Sequence, residues 1–400
     1  MTSFFSKKPA KSAQRSADFS FITDSTHYFD SACQTLRPQA VLDAEQAYYT
    51  QYNACGHRVK YPWGEKVDQT VMQTRKDVVA FIGKPYTTYE TCFTLNTTYG
   101  INLVLSQLPT EGLKRVVISE IEHNSVYLPT IAFAKKHQLE HIVLKRNEQG
   151  ALSYKPSDLD HALVILNTTS NIDGRHLTNV SDIARDTHAQ GGLFLVDAAQ
   201  TVGHNPSLLR EVDVDAIFTS GHKMYAPSLG IIVIKRSLLA RLQPSFIGGG
   251  MVTDVREHDF DLITDEKELF SRLEPGLQSW AGIIGLQAAL AWLKKQDVAH
   301  ELMLAEYLRD KLEAIEGLRF VSPKESSTQS VYSDKIDAHQ LALAMGQAGI
   351  MARSGYFCCH YYLKHVKQLP PLLRISLGLH NTKQDIDALA NALTIILKRL

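Results

Sequence analysis

Residues 217–227 read IFTSGHKMYAP, an apolar run that ends in Ser-Gly-His and then Lys223. A lysine that leaves a buried strand is costly, because desolvation disfavours its charged form and lowers its pKa. That cost is useful where the amine must act as a nucleophile, since a neutral amine forms a Schiff base with a carbonyl. The plainer alternative is that Lys223 leaves the strand and snorkels to water. The flanking sequence decides between the two.

Outward from this stretch the pattern alternates. TCFTL (91–95), RVVIS (115–119), HIVLK (141–145), ALVIL (162–166), LFLVDAA (193–199), AIFTS (216–220) and GIIVIKR (230–236) are short β-rich runs. Helix-length segments such as NTTYGINLVLSQL (96–108) and VSDIARDTHAQ (180–190) lie between several of them. Strand–helix alternation predicts an α/β fold with a mostly parallel sheet covered by helices on both faces. Ligands in such folds sit at the carboxyl ends of the strands. Asn96, His123, Asn171, Asp197 and Lys223 each follow one of these runs. Beyond them, GIIGLQAALAWLKKQ (282–296) reads as a long helix leading into a second unit, which ends in the helix KQDIDALANALTIILKRL (383–400).

Composition sets bounds on the function. The chain has 400 residues, 44% apolar and 21% charged, with 42 basic and 42 acidic side chains. That length implies two domains, or one large domain with a satellite. Zero net charge supplies no global field for nucleic acid or anionic lipid, so a small anionic ligand must be held by local groups. No apolar run approaches the roughly 18–20 residues of a membrane helix. Five cysteines, an odd number with no Cys-x-x-Cys spacing, argue against a disulfide framework or zinc site and for a reducing cytoplasm. The N-terminal stretch carries Lys7, Lys8, Lys11 and Arg15 with no acid before Asp18. It reads as a solvated tail rather than a transit peptide.

Two residue types in this pattern point to one chemistry. Asp197 ends an apolar run, where an acid needs a partner or becomes neutral. An acid that pairs with a pyridinium nitrogen, together with a lysine that forms a Schiff base, is what pyridoxal phosphate requires. Thr97 and Thr98 open a helix after a strand, which makes an anion site for a phosphate, although threonine is also an ordinary N-cap. Ser220 and His222 beside the lysine can add donors. Asn171 and Gln200 either hold the ring's phenolic oxygen or bond to loop backbone.

VDAAQ (196–200) with SGHKMYAP (220–227) resembles the signature of class V aminotransferases, and of cysteine desulfurases in particular. YFDSACQTLRP, NACGHR, NTTYGINLV, EHNS, TSNIDG, GGG, GIIGL, RSGYFCCH and RISLGLHNT follow in the family's order. The short spacing around Cys358 is similar to the SUF-type branch, which supplies iron–sulfur cluster assembly. The resemblance implies pyridoxal phosphate fold type I. A large domain would span 24–284 and a smaller α+β domain 285–400, with segment 1–23 packing on the latter.

It also implies roles. Lys223 holds the cofactor and shuttles protons, Asp197 pairs with the pyridinium, and His123 stacks on the ring and takes part in catalysis. Asn171 and Gln200 contact the phenolic oxygen; Thr97, Thr98, Ser220 and His222 bind phosphate. Arg374 clamps the substrate carboxylate, a task that suits the guanidinium fork. Arg353, His57 and Asn171 lie about the substrate. Cys358 takes sulfur from L-cysteine as a persulfide and leaves alanine, for a sulfur-acceptor protein. The implied assembly is a homodimer. Other class V activities remain as alternatives: selenocysteine lyase, cysteine-conjugate C–S lyase, aminotransferase or epimerase. If Cys358 and Cys359 lie on a strand, at most one faces the pocket; Cys358 matches the motif. Cys33 and Cys55 read as packing residues. Three positions depart from the family: Ala226 replaces a glycine, Leu277 replaces a threonine that reaches a partner's phosphate, and Cys359-His360-Tyr361 follows Cys358.

Overall fold

The structure, a computed structural model, describes residues 17–23, 25–57 and 59–399. The basic stretch with Lys7, Lys8, Lys11 and Arg15 lies outside them.

An eight-stranded sheet organises the first core. Its strands run in the order Tyr89–Thr94, Gly230–Lys235, Ala216–Ser220, Leu193–Asp197, Ala162–Asn167, Arg115–Ser119, Glu140–Arg146 and Leu152–Ser153. The five from Ala216–Ser220 to Glu140–Arg146 are mutually parallel, and the pairings toward either edge are antiparallel. Buried parallel strands must be apolar on both faces, and these are. Val117, Val164, Val196 and Ile217 face one helical layer, while Val116, Ile118, Leu163, Ile165, Leu195 and Phe218 face the other. That is the two-residue period of a strand. The first layer includes the helices Pro62–Ile82 and Trp280–Leu293, and the second Thr97–Gln107 and Asn124–His137. Pro62 starts its helix where a missing N–H costs nothing, and Gly83 ends it at φ 83°, a left-handed cap that favours glycine.

A second core surrounds a four-stranded antiparallel sheet, ordered Arg319–Phe320, Thr328–Tyr332, Leu372–Ser376 and Arg353–Gly355. The helices Val298–Glu313, Ala338–Gln347 and Lys383–Lys398 pack Leu308, Leu341 and Leu393 against it. The chain start contributes to both cores. Phe29 is buried in the second, next to a parallel bridge of His27–Tyr28 with Ile350–Met351. Phe19 is buried in the first, with its ring 5.7 Å from Trp292 and 6.4 Å from Tyr225. A small apolar seam of Ile121, Ile172, Phe357, Cys359, Tyr362, Leu363 and Leu372 joins the two units. The functional cavity opens beside that seam. No helix among the described residues is long and apolar enough to cross a membrane.

Candidate active site

At the carboxyl ends of the parallel strands lies a cavity of about 750 Å³. Its walls carry Thr97, Thr98, His123, Asn171, Asp197, Gln200, Ser220, His222, Lys223, Arg353, Cys358 and Arg374. Residues from seven separate motifs, spread over nearly 280 positions, therefore converge on one space.

Lys223 ends a short turn directly after the strand Ala216–Ser220. Burial lowers its pKa, and the charge of Asp197 opposes that shift. The side chain is only half-buried by surface, because one side of it faces the cavity while protein surrounds the rest. Asp197 closes the strand Leu193–Asp197, where its Oδ1 accepts from the Ala199 N–H (3.0 Å) and its Oδ2 from the Ser125 hydroxyl (3.2 Å). Burial raises its pKa against the charge of Lys223 and those two bonds. His123 caps the helix Asn124–His137, and its Nδ1 accepts from the Ser125 N–H (3.0 Å). The neutral ring therefore carries its proton on Nε2. Burial first, then the charges of Lys223 and Arg374, pull its pKa down to about 3, so the ring is neutral at physiological pH. Ser125 thus orients both the histidine and the aspartate. The sequence reading passed over it, although it stands in the EHNS motif two residues after His123.

The next wall is an anion cradle. Asn96 caps the helix Thr97–Gln107 through its Oδ1 and the Tyr99 N–H (2.9 Å). The Thr97 N–H donates to Ser220 Oγ (3.3 Å), and the two hydroxyls hydrogen-bond to each other. Gly230 lets its strand approach this turn: a Cβ there would lie 2.2 Å from Thr94 Oγ1 and 2.5 Å from the Asn96 carbonyl carbon. Burial lowers the pKa of His222 to about 4, so it meets an anion as a neutral donor.

Arg374 comes from the second sheet and is 3% exposed. Its Nη2 pairs with Asp30 Oδ1 (3.1 Å), its Nη1 donates to Asn171 O (3.1 Å), and its Nε is buried without a partner. Asp30 also pairs with Arg353 Nε (2.9 Å). One carboxylate thereby holds both cavity arginines, which the sequence separates from it by more than 320 positions.

The Cys358 segment corrects the strand alternative. The strand Arg353–Gly355 stops first, and Phe357 and Cys358 both take left-handed φ, 46° and 58°. They form a turn, whose carbonyls are tied to a loop and a helix start of the first core. Asn171 Nδ2 donates to Phe357 O (2.8 Å), and the Asn124 N–H donates to Cys358 O (2.7 Å). The outcome still separates the two thiols. Cys358 is exposed on the cavity wall. Cys359 is buried in the seam, where its Sγ donates to Asn171 Oδ1 (3.2 Å) and burial pushes its pKa far up. Both ends of the Asn171 amide thus hold the cysteine turn. Gln200 spends its Nε2 on Ala32 O (2.7 Å), leaving its Oε1 for another partner.

His57 is not brought to this cavity. Its N–H bonds Asp68 of the helix Pro62–Ile82, and it lines a second cavity of about 770 Å³ with Arg75, Glu274, Leu277 and Trp280. Leu277 is 76% exposed there. Ala226 is fully buried and donates its N–H to Gly221 O (3.0 Å), so the extra methyl is accommodated.

The sequence matches the family Aminotransferase class-V over residues 27–389. The chain belongs to that family. A probable cysteine desulfurase of Pasteurella multocida is 32% identical over 92% of this chain and 89% of its own length. The cysteine desulfurase CsdA of Escherichia coli is 28% identical over 97% of this chain and 98% of its own length. Among solved structures, CsdA in an S-sulfonic acid form superposes with a TM-score of 0.83 at 27% identity, covering 96% of this chain and 98% of that one. An apo cysteine desulfurase from Thermococcus onnurineus gives 0.83 at 26%, covering 94% and 96%.

Class V enzymes use pyridoxal phosphate, and the residues present fit it. The Thr97–Ser220 cradle exists only because Gly230 has no Cβ. A buried acid and a desolvated amine face each other across the cavity.

Proposed function

We propose that the protein is a cysteine desulfurase, taking L-cysteine to L-alanine and leaving the sulfur on Cys358 for an acceptor protein. The observation that carries this reading is the exposed Cys358 thiol on the cavity that Lys223, Asp197, His123 and Arg374 share.

Pyridoxal phosphate supplies an electron sink for the substrate's α-carbon. Each residue has a task the geometry suits. Lys223, with its lowered pKa, holds the cofactor through its neutral amine and moves the proton at the substrate α-carbon. Asp197 keeps a proton on the pyridine nitrogen, helped by Ser125. Thr97, Thr98, Ser220 and His222 hold the phosphate at a helix N-terminus. Arg374 keeps its Nε–H and the second hydrogens of both Nη atoms for the substrate carboxylate. Cys358 Sγ takes the substrate sulfur: an S–S bond forms as the substrate Cβ–S bond breaks. The proton lost by the thiol balances the one gained at Cβ. Asn171 and Asn124 keep the Cys358 turn in place.

The wider reading is a homodimer in the cytoplasm. Exposed Trp63, Phe246, Ile247, Val255 and Leu277 support association, and five free cysteines suit a reducing compartment. The two cores are read as two domains. Their division belongs after Leu293, because the helix Trp280–Leu293 packs as a whole in the first core.

The test is product analysis with L-cysteine and the cofactor-loaded protein. A desulfurase releases alanine. Pyruvate with ammonia would instead identify a lyase, and recovery of D-cysteine an epimerase.

A further inference from the structure

The desulfurase reading leaves one thiol of the cavity unused. Cys33 is free and half-buried, and it lines the same space as Cys358. The segments that carry the two thiols both reach Arg374. On one side, the Cys33 N–H donates to Asp30 O (3.0 Å), and the Asp30 carboxylate pairs with Arg374 and Arg353. On the other side, Phe357, the residue before Cys358, lays its ring 4.6 Å from the Arg374 guanidinium. Arg374 is almost wholly buried, and its Nε–H has no partner. Lys223, Arg353 and Arg374 line the same space as Cys33, so the cavity is equipped for an anion.

We infer that Cys33 is a second sulfur-carrying thiol, which takes the outer sulfur of the Cys358 persulfide and holds it beside Arg353 and Arg374. The inference rests on the desulfurase reading. In the transfer, the Cys33 thiolate attacks the outer sulfur. A new S–S bond forms on Cys33, the old one breaks, and Cys358 leaves as a thiolate. The proton given up by Cys33 ends on Cys358. This is thiol–persulfide exchange. The sulfur keeps its oxidation level, so neither an oxidant nor a reductant is consumed. Cys358 is then free for a second turnover before any acceptor arrives.

The experiment supplies heavy-sulfur L-cysteine to the cofactor-loaded protein without reductant or acceptor, then traps thiols with iodoacetamide and maps the peptides. Heavy persulfide is expected on Cys358 and on Cys33. It is not expected on Cys55, which is exposed away from this cavity. Cys358→Ala should remove the label from Cys33. Label on Cys358 alone overturns the inference and leaves the desulfurase reading standing. So does Cys33 label that survives Cys358→Ala, or equal label on Cys55, which marks indiscriminate polysulfide. Absence of label from Cys358 itself overturns the desulfurase reading and the inference with it.

Discussion

Glu274→Ala should be among the most destabilising single changes in this protein. Arg75 is 2% exposed, and its guanidinium meets Glu274 through two parallel bonds, Nη1 to Oε1 (2.5 Å) and Nη2 to Oε2 (2.6 Å). The Phe93 N–H donates to the same carboxylate (2.7 Å), and the Phe270 ring covers the guanidinium at 3.8 Å. Removing the acid leaves a buried cation with only Thr91 O as an acceptor, and the buried Phe93 N–H without the carboxylate. Truncations of this kind cost about 3–5 kcal/mol. Unfolding entropy over the roughly 280 residues of the first core is about 0.6 kcal/mol/K, so the melting midpoint should fall by about 5–8 °C. The double variant Arg75→Met with Glu274→Leu removes both charges and both desolvation costs. It should recover to within about 1–2 kcal/mol of the wild type. Differential scanning calorimetry at saturating cofactor reads all three proteins. A single variant that melts within about 1 °C of the wild type would refute the reasoning, as would a double variant no more stable than the single.

Three further outcomes follow from the same geometry. Burial raises the pKa of Glu122 to about 7, against bonds from Ser119 and the Asn167 N–H. A folded pKa above the unfolded value of about 4.3 means stability is lost as pH rises between the two. Glu122→Gln, which keeps an acceptor and carries no charge, should therefore gain on the wild type in melting midpoint between about pH 5 and pH 8; a pH-independent difference would contradict this. Asn171→Ala leaves Phe357 O without its donor, so alanine release should fall about tenfold while cofactor absorbance is retained; loss of the cofactor would return Asn171 to the ring. Gly230→Ala forces the Asn96–Thr97 turn away from its strand and should weaken cofactor affinity in a titration, with unchanged affinity as the opposing result.

The large sheet was legible because its strands are buried on both faces. ALVIL and AIFTS can be little else when helix-length segments lie between them. Lys223 and Asp197 were legible for a related reason: a charge at the end of such a run needs a purpose. The Cys358 turn was not. Left-handed φ at Phe357 and Cys358 falls on residues that give no local turn signal, and the Asn171 and Asn124 bonds that hold it come from far along the chain. Asp30 and its two arginines were hidden likewise, since only folding brings residues 30, 353 and 374 together. His57 lies apart from this cavity for the opposite reason. Its motif runs in order with those of the active site, but Asp68 holds it on another cavity. Order along a chain does not fix side-chain direction.

The most direct test of the central claim compares the wild type with Cys358→Ala for alanine and sulfide release from L-cysteine, with reductant present and cofactor content measured. The account predicts equal alanine and sulfide from the wild type, and near-total loss of both in a variant that still binds the cofactor. Desulfuration by Cys358→Ala at the wild-type rate would contradict it, as would a cofactor-loaded wild type that releases neither product.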